Sequence, residues 1–511
     1  MNRSLAAAAF ALVSALLCIP ILAYPHLPLV DIPNHIARLH IAGPFGGALD
    51  TYYDYALTFQ TNTAVDIIWA MGARQLWTAE EFSNLIMAFY AVSLMASVMT
   101  LSRVVQGGWR IWPLATNLIV FNAPYFWGFQ NYLLTIPIAI FALAGWLVSE
   151  KMPVHKRVLW FVPVCLLLYT MHVLGLLVFM VAVFGREVQR VIAARQDWLK
   201  VLFFNIPLAI PFLLPIGLII YDWAYGPENL FGSGTGFGSF SQRIELFAAP
   251  IFSVTSDASP WFNKAGGIIL ATLLALLLMV RKKQGIRLVF NGKMAGPVIA
   301  LAILTLLTPA VLNGVALVHI RFPFVLLAVV IASTSWVALQ PKHAAYLLAL
   351  LLTLSVTRVA MVVGITKAHS QEVEQLIRVL GVLPNNSRIL PVRDTTANPS
   401  PRYWHMQAYA VPVAESFVPT LFLGAHVLHL KEKWWGSAVA QGYSVPWQLL
   451  SSEPEIPPDI PPLLTYMFVV DWPQKYTHVL QLNALPPEAF KGLPLELIAQ
   501  KGGFTIYEIT D

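Results

Sequence analysis

A short polar segment beyond the first apolar run of the chain, residues 5–24, reads Leu29-Val-Asp-Ile-Pro-Asn-His-Ile-Ala-Arg-Leu-His40. Pro33 suits the first turn of a helix, and Asp31 stands at its entry, where a carboxylate favours the positive end of the helix dipole. The apolar side chains that recur at helical spacing and share one face are Ile32, Ile36 and Leu39. The segment therefore predicts a helix over Ile32–Ile41 that lies on the membrane surface.

The same helix brings four polar side chains together. Asp31 and His35 are four residues apart and can approach each other, and Arg38 lies one turn from both Asn34 and His35. Asp31 and His35 are therefore candidate catalytic residues. The alternative is structural: Asp31 caps the helix, and the others are ordinary polar residues at the membrane interface.

The composition is that of an integral membrane protein. Of 511 residues, 57% are hydrophobic and 11% are charged, and the mean hydropathy is +0.66. A soluble domain carries about 25% charged residues. The formal charge of +6 is concentrated in particular loops, so it does not indicate a nucleic-acid partner.

Repeated apolar runs predict about eleven membrane spans. The fold class is therefore mainly α, a polytopic bundle of membrane helices. The length of the first run favours a retained helix over a cleaved signal peptide. Four runs form two pairs, hinged at Pro124–Gly128 and at Tyr169–His172, and each pair either crosses twice or re-enters. The predicted spans are residues 5–24, 82–101, 111–124, 129–149, 158–170, 173–185, 200–221, 265–280, 294–313, 323–340 and 344–364.

Lys and Arg residues indicate the orientation of these spans. With a cytoplasmic N-terminus, the inner segments hold 16 Lys and Arg residues, and the outer loops of the membrane domain hold four. The four outer residues are Arg38, Arg74, Arg243 and Arg321. An odd number of spans then places the C-terminal domain outside the cytoplasm.

Two domains are predicted, a transmembrane domain over residues 1–364 and an extracytoplasmic α/β domain over residues 365–511. The transmembrane domain has two long outer loops, residues 25–81 and 222–264. The glycines of Phe231–Phe240 in the second loop lack the strand–helix setting of a phosphate loop, so they suggest a mobile flap.

The C-terminal domain alternates helix-like and strand-like segments. Gln371–Val382 places apolar residues on one helical face. Short β-like runs follow at Arg388–Val392, Tyr466–Val470 and Phe504–Ile509. This order predicts a small α/β domain.

Three further polar residues are candidates for the site. Asp66 lies in a second helix-like stretch of the first outer loop, Thr63–Trp77. The alternative to a role in the site is that Asp66 lies on the solvated face of that helix. Asn131 and His172 sit at the two hinges. Polar groups at such depth are costly unless satisfied and often face a cavity. The alternative is that they satisfy the ends of helices.

An acidic residue just after the first span, in Val30-Asp-Ile-Pro-Asn-His35, resembles the C-type glycosyltransferase superfamily (GT-C). The many-spanning core and the C-terminal α/β domain are similar to this superfamily over nearly the whole chain. The pattern Asp-x-Pro-Asn-His-x-Ala-Arg resembles an uncharacterised bacterial branch, which implies a location in the bacterial inner membrane. Val30 and Ile32 flank Asp31 where the superfamily frequently has paired acids, which weakens the case for a divalent metal at Asp31 and Asp66.

The resemblance implies roles for the site residues. Asp31 is the expected general base of a sugar transfer, and His35 orients or assists it. Arg321 and Arg38 are expected to bind the phosphate of a polyprenyl-phosphate donor, since arginine binds phosphate in a bidentate way. Arg321 stands at the outer mouth of a span, in His319-Ile-Arg-Phe-Pro323. The alternative to phosphate binding is that Arg321 anchors its helix at the membrane interface.

The predicted function is an inverting membrane glycosyltransferase that moves a hexosyl or pentosyl group to a glycan, lipid or protein acceptor on the extracytoplasmic face. The alternatives are a transporter or flippase for a lipid-linked or amphiphilic solute, and a noncatalytic scaffold in envelope assembly. Transporters usually place acids near the middle of the membrane. Here the acids collect in outer loops, which favours the enzyme. The sequence indicates no particular cofactor, and a divalent metal stays possible.

Overall fold

The structure of the chain is a computed structural model. It describes residues 3–44, 46–225, 234–238, 251, 253, 287–313, 315–337, 340–394, 400–423, 427–437, 444–450, 468–486 and 489–510.

The helices of the described segments begin and end at α1 Arg3–Leu22, α2 Ile32–Ile41, α3 Ala64–Ala70, α4 Ala79–Gln106, α5 Ala123–Trp127, α6 Gln130–Val148, α7 Val154–Met171, α8 Val173–Ala193, α9 Trp198–Asn205, α10 Ile210–Tyr225, α11 Ala295–Leu307, α12 Pro323–Ser333, α13 Pro341–Leu380, α14 Ala410–Ala414 and α15 Trp472–Lys475. The strands are β1 Tyr53–Tyr55, β2 Arg287–Phe290, β3 Thr334–Val337, β4 Ile389–Arg393, β5 Leu428–Leu430, β6 Val445–Pro446, β7 His478–Gln481, β8 Leu495–Lys501 and β9 Phe504–Ile509. The predicted helix over Ile32–Ile41 is confirmed as α2.

The chain forms two compact units, which we call the helical unit and the mixed unit. The helical unit comprises Met1–Ala23, Phe59–Val65 and Ile86–Val363. The mixed unit comprises Tyr24–Thr58, Asp66–Leu85 and Gly364–Asp511. Most of residues 25–81 therefore belongs to the same unit as the C-terminal segment.

Several helices of the chain have membrane-spanning length. In the described part of the chain, six helical stretches are long and apolar enough to cross a bilayer: Ser4–Leu22, Ala79–Gln106, Gln130–Lys151, Val154–Met171, Arg195–Asp222 and Pro341–Leu380. The mainly α fold class is confirmed, whereas the number of eleven spans is not. The predicted span 265–280 lies outside the described residues, as does most of the loop 222–264. Within Phe231–Phe240, the described Gly236 forms an isolated β-bridge with Val311.

Three of the four paired runs are full-length helices, α6, α7 and α8. The run 111–124 is not one helix, because a 3₁₀ helix, Trp112–Ile119, gives way to the short α5. The Asn122 side chain accepts a hydrogen bond from the Tyr125 N–H and starts α5, and Gly128, with φ of 80°, ends it. The predicted span 323–340 also ends early, at Ser333, since β3 follows and pairs antiparallel with β2.

The mixed unit contains a five-stranded sheet in the order β6-β4-β7-β9-β8. β4 is parallel to β6 and β7, and β9 is antiparallel to β7 and β8. The strands predicted at Arg388–Val392 and Phe504–Ile509 are confirmed as β4 and β9. The prediction at Tyr466–Val470 is wrong for its described residues, because Phe468 and Val469 are helical and Val470 is in a turn. The predicted helix Gln371–Val382 is the C-terminal end of α13, which ends two residues earlier, at Leu380.

Candidate active site

Asp31 stands at the N-cap of α2, but its side chain makes no capping hydrogen bond among the described residues. Its Oδ1 instead lies 3.5 Å from Nε2 of His405. The Asp31 side chain is 16% exposed and that of His405 is 2% exposed. The position of the carboxylate is thus not explained by helix capping, which was the structural alternative for this residue.

Two other polar residues of α2, Asn34 and His35, contact Phe422. The Asn34 Oδ1 accepts a hydrogen bond from the Phe422 N–H at 3.3 Å. The His35 ring meets the Phe422 ring edge-on at a centroid distance of 6.1 Å, and the His405 ring does so at 5.0 Å. Two distant segments therefore bring His35 and His405 against one aromatic side chain, with Asp31 next to His405.

Arg38 and Asp66 form a buried ion pair. Arg38 donates from Nε to Oδ1 and from Nη2 to Oδ2 of Asp66, at 2.9 and 3.0 Å. The Tyr55 hydroxyl donates to Oδ1 at 3.4 Å. Burial raises the pKa of the Asp66 carboxyl, while the charge and hydrogen bonds of Arg38 lower it. Burial and the Asp66 carboxylate raise the pKa of Tyr55, so its hydroxyl stays protonated and remains a donor.

The helical unit contains a second cluster around Arg321. The guanidinium carbon lies 4.0 Å from the centroid of the Phe129 ring, and the Tyr132 hydroxyl donates to the Arg321 carbonyl. Arg321 Nη1 lies 3.3 Å from Nε2 of His172. The backbone and the side chain of Arg321 are thus both fixed by aromatic residues at the start of α6.

The contact between His172 and Arg321 joins two hydrogen-bond donors. Nδ1 of His172 accepts from the Leu174 N–H at 3.0 Å at the start of α8, which puts the proton of a neutral ring on Nε2. The Arg321 guanidinium carries donors only. Two donors cannot bond to each other, but they can bind one acceptor. The pair therefore suits an anion such as a phosphate oxygen.

Asn131 makes two hydrogen bonds to backbone groups. Its Oδ1 accepts from the Val65 N–H at 2.9 Å, and its Nδ2 donates to the Asn62 carbonyl at 2.7 Å. Asn131 thus anchors residues 62–65 in the helical unit.

Asp66, one of the two residues considered for a divalent metal, does not fit that role. Both oxygens of Asp66 accept hydrogen bonds from Arg38. In the described ranges, no group of three or more His, Cys, Asp or Glu side chains is arranged to hold a metal ion.

The chain is similar to known proteins in structure but not in sequence. No protein-family model and no curated protein sequence matches the chain. A crystal structure of ArnT from Cupriavidus metallidurans bound to undecaprenyl phosphate matches with a TM-score of 0.55 and 12% identity, over 100% of this chain and 99% of that one. The same protein in the apo state matches with a TM-score of 0.51 and 13% identity, over 98% and 97%. ArnT is a GT-C glycosyltransferase.

The chain shares the fold of this GT-C glycosyltransferase over its full length. The likeness at 12% identity is one of fold, and it confirms the resemblance at that level. In this chain the Asp31 segment follows α1, as the sequence predicted. The likeness of fold does not by itself assign a role to any residue, so the predicted roles of Asp31, His35, Arg38 and Arg321 stay predictions.

Sequence reasoning brought together some of these residues and missed others. It placed Asp31, Asn34, His35 and Arg38 on one short helix, and α2 confirms that placement. It missed His405 and Phe422, because nothing in their local sequence links them to α2. It also treated Arg38 and Asp66 as separate candidates, although each is the partner of the other.

Proposed function

We propose that this protein is a membrane glycosyltransferase that moves a sugar from a polyprenyl-phosphate donor to an acceptor on the extracytoplasmic face. The observation that carries the proposal is the likeness to ArnT over the full length of both chains, since one of those structures holds undecaprenyl phosphate. The bacterial inner membrane, with a cytoplasmic N-terminus, is the proposed location.

Asp31 is the proposed general base. Its carboxylate is the more exposed member of the pair with His405, so an acceptor hydroxyl has access to it. Asp31 takes the proton of that hydroxyl as the oxygen forms a bond to the anomeric carbon. The bond from this carbon to the phosphate oxygen breaks at the same time, and the phosphate leaves with the electron pair. Attack opposite the leaving group inverts the anomeric configuration.

Arg321 is the proposed ligand of the leaving phosphate. Its guanidinium and the Nε2–H of His172 offer donors to one acceptor, and arginine–phosphate hydrogen bonds are short and strong. Negative charge on the departing phosphate is stabilised by such fixed donors. Stacking on Phe129 holds the guanidinium in place before the donor binds.

The test is sugar transfer by the purified protein with a panel of undecaprenyl-phosphate sugars and lipid, glycan and peptide acceptors. We expect release of undecaprenyl phosphate from at least one donor, and NMR of the product gives the anomeric configuration. Movement of an intact donor across vesicles without release of the phosphate would instead indicate the transporter or flippase. If the protein neither releases the phosphate nor moves the donor, the proposed glycosyltransferase activity is contradicted. The noncatalytic scaffold in envelope assembly is then the remaining function.

A further inference from the structure

His405 lies in the C-terminal segment of the chain, and its ring lies next to the carboxylate of Asp31. Its Nε2 is 3.5 Å from Asp31 Oδ1, and its side chain is the more deeply buried of the two. Solvent therefore reaches the carboxylate and not the imidazole. A buried imidazole beside a more exposed carboxylate is the arrangement expected of a group that orients a base.

Local packing fixes the imidazole. His405 precedes the 3₁₀ helix Met406–Tyr409, which packs against α2. The His405 ring lies edge-on to Phe422 at an interplanar angle of 71°. The Phe422 N–H is in turn bonded to Asn34 of α2. The imidazole and the helix that begins at Asp31 are thus held in one framework within the mixed unit.

We propose that His405 is a positioning residue for Asp31, a role that rests on the proposed function. An N–H at Nε2, 3.5 Å from Oδ1, attracts that carboxylate oxygen and leaves Oδ2 to take the proton of the acceptor hydroxyl. Fixing the carboxylate in this way favours the transition state, because a misplacement of about 1 Å can cost roughly 100-fold in rate. His405 itself neither gains nor loses a proton in the net reaction.

The experiment compares three variants in the sugar-transfer assay with the full-length protein. His405→Phe keeps a ring against Phe422 but removes both ring nitrogens, and it should lower kcat about 10- to 100-fold with little change in the KM for the donor. His405→Gln restores a side-chain N–H donor and should recover part of the loss. The matched control is His478→Phe. His478 is a buried histidine in β7 of the same unit, and its Nδ1 is hydrogen-bonded to the Thr477 hydroxyl.

A second measurement separates positioning from a general effect on folding. If His405 acts through Asp31, then adding His405→Phe to Asp31→Asn should cost little more than Asp31→Asn alone. Additive losses, or a kcat of His405→Phe within about twofold of wild type, would overturn the role. If His405→Phe does not fold, His405→Leu and His405→Gln give the same comparison. Wild-type protein that uses no donor of the panel refutes the proposed function, whereas an active wild type with a fully active His405→Phe variant refutes only this role.

Discussion

Arg38 donates two parallel hydrogen bonds to Asp66, from Nε to Oδ1 at 2.9 Å and from Nη2 to Oδ2 at 3.0 Å. Their side chains are 2% and 1% exposed, so the pair is held away from water. A bidentate arginine–carboxylate pair is among the strongest hydrogen-bonded contacts in proteins. It ties α2 to a residue of α3 and thereby fixes the helix that begins at Asp31.

The first prediction concerns the stability that depends on this pair. Asp66→Leu should lower the free energy of unfolding by about 3–5 kcal/mol, because it leaves a buried guanidinium without its counter-charge. The double variant Arg38→Met/Asp66→Leu should recover most of the loss. Denaturant unfolding in micelles measures both changes. The control is Asp197→Ala, which removes an exposed pair with Lys200 (64% and 85% exposed) and should cost at most about 1 kcal/mol.

The same double variant tests the predicted role of Arg38 in phosphate binding. Recovery of stability without recovery of the KM for the donor would support that role. Recovery of both the stability and the KM for the donor would limit Arg38 to a structural role. An Asp66→Leu variant as stable as Asp197→Ala would contradict the importance of the pair altogether.

The second prediction concerns Asp31 as the base. Asp31→Asn should reduce kcat by about 10²–10⁴-fold, since the amide cannot take the acceptor proton. Its unfolding should change little, because the Asp31 side chain makes no capping hydrogen bond with the described residues. The measurement is sugar transfer at matched expression, with thermal unfolding as the control. A variant that keeps activity within a few-fold of wild type would remove Asp31 from catalysis.

The third prediction concerns the donor phosphate. Arg321→Ala should lower kcat/KM for the donor roughly 10- to 100-fold, the effect of losing about 1.5–3 kcal/mol of charged hydrogen bonding. Arg321→Lys should recover only part, because lysine does not bind in a bidentate way. Steady-state kinetics against donor concentration measure both. Arg74→Ala is the matched control, since Arg74 is an exposed arginine that donates to the Ala42 carbonyl. Equal effects of the two alanine variants would leave Arg321 as an interfacial anchor.

The fourth prediction concerns orientation. The excess of Lys and Arg in the predicted inner segments places the C-terminus outside the cytoplasm. Alkaline phosphatase fused after Asp511 should therefore be active, and green fluorescent protein at the same point should be dark. The reporter pair fused after Lys151 is the internal control and should give the opposite pattern. A fluorescent, phosphatase-negative fusion after Asp511 would reverse the orientation.

Local sequence was sufficient where the physical cause is local. Apolar runs of membrane length gave most of the spanning helices, because a bilayer requires each such segment to satisfy its own backbone hydrogen bonds. Pro33 and the spacing of Ile32, Ile36 and Leu39 gave α2 with its correct ends. The break within the run 111–124 was not predicted, because apolar composition does not show that Asn122 caps a new helix there.

By itself, the sequence determined the membrane class, the GT-C-like order of elements and the place of Asp31 after the first helix. The partners of the site residues were decided by the tertiary structure alone. Asn34 and Phe422 meet although 388 positions separate them, and His405 reaches Asp31 from the same distant segment. Such contacts arise from the packing of whole elements against each other, and a single sequence records periodicity along the chain but not which elements pack together.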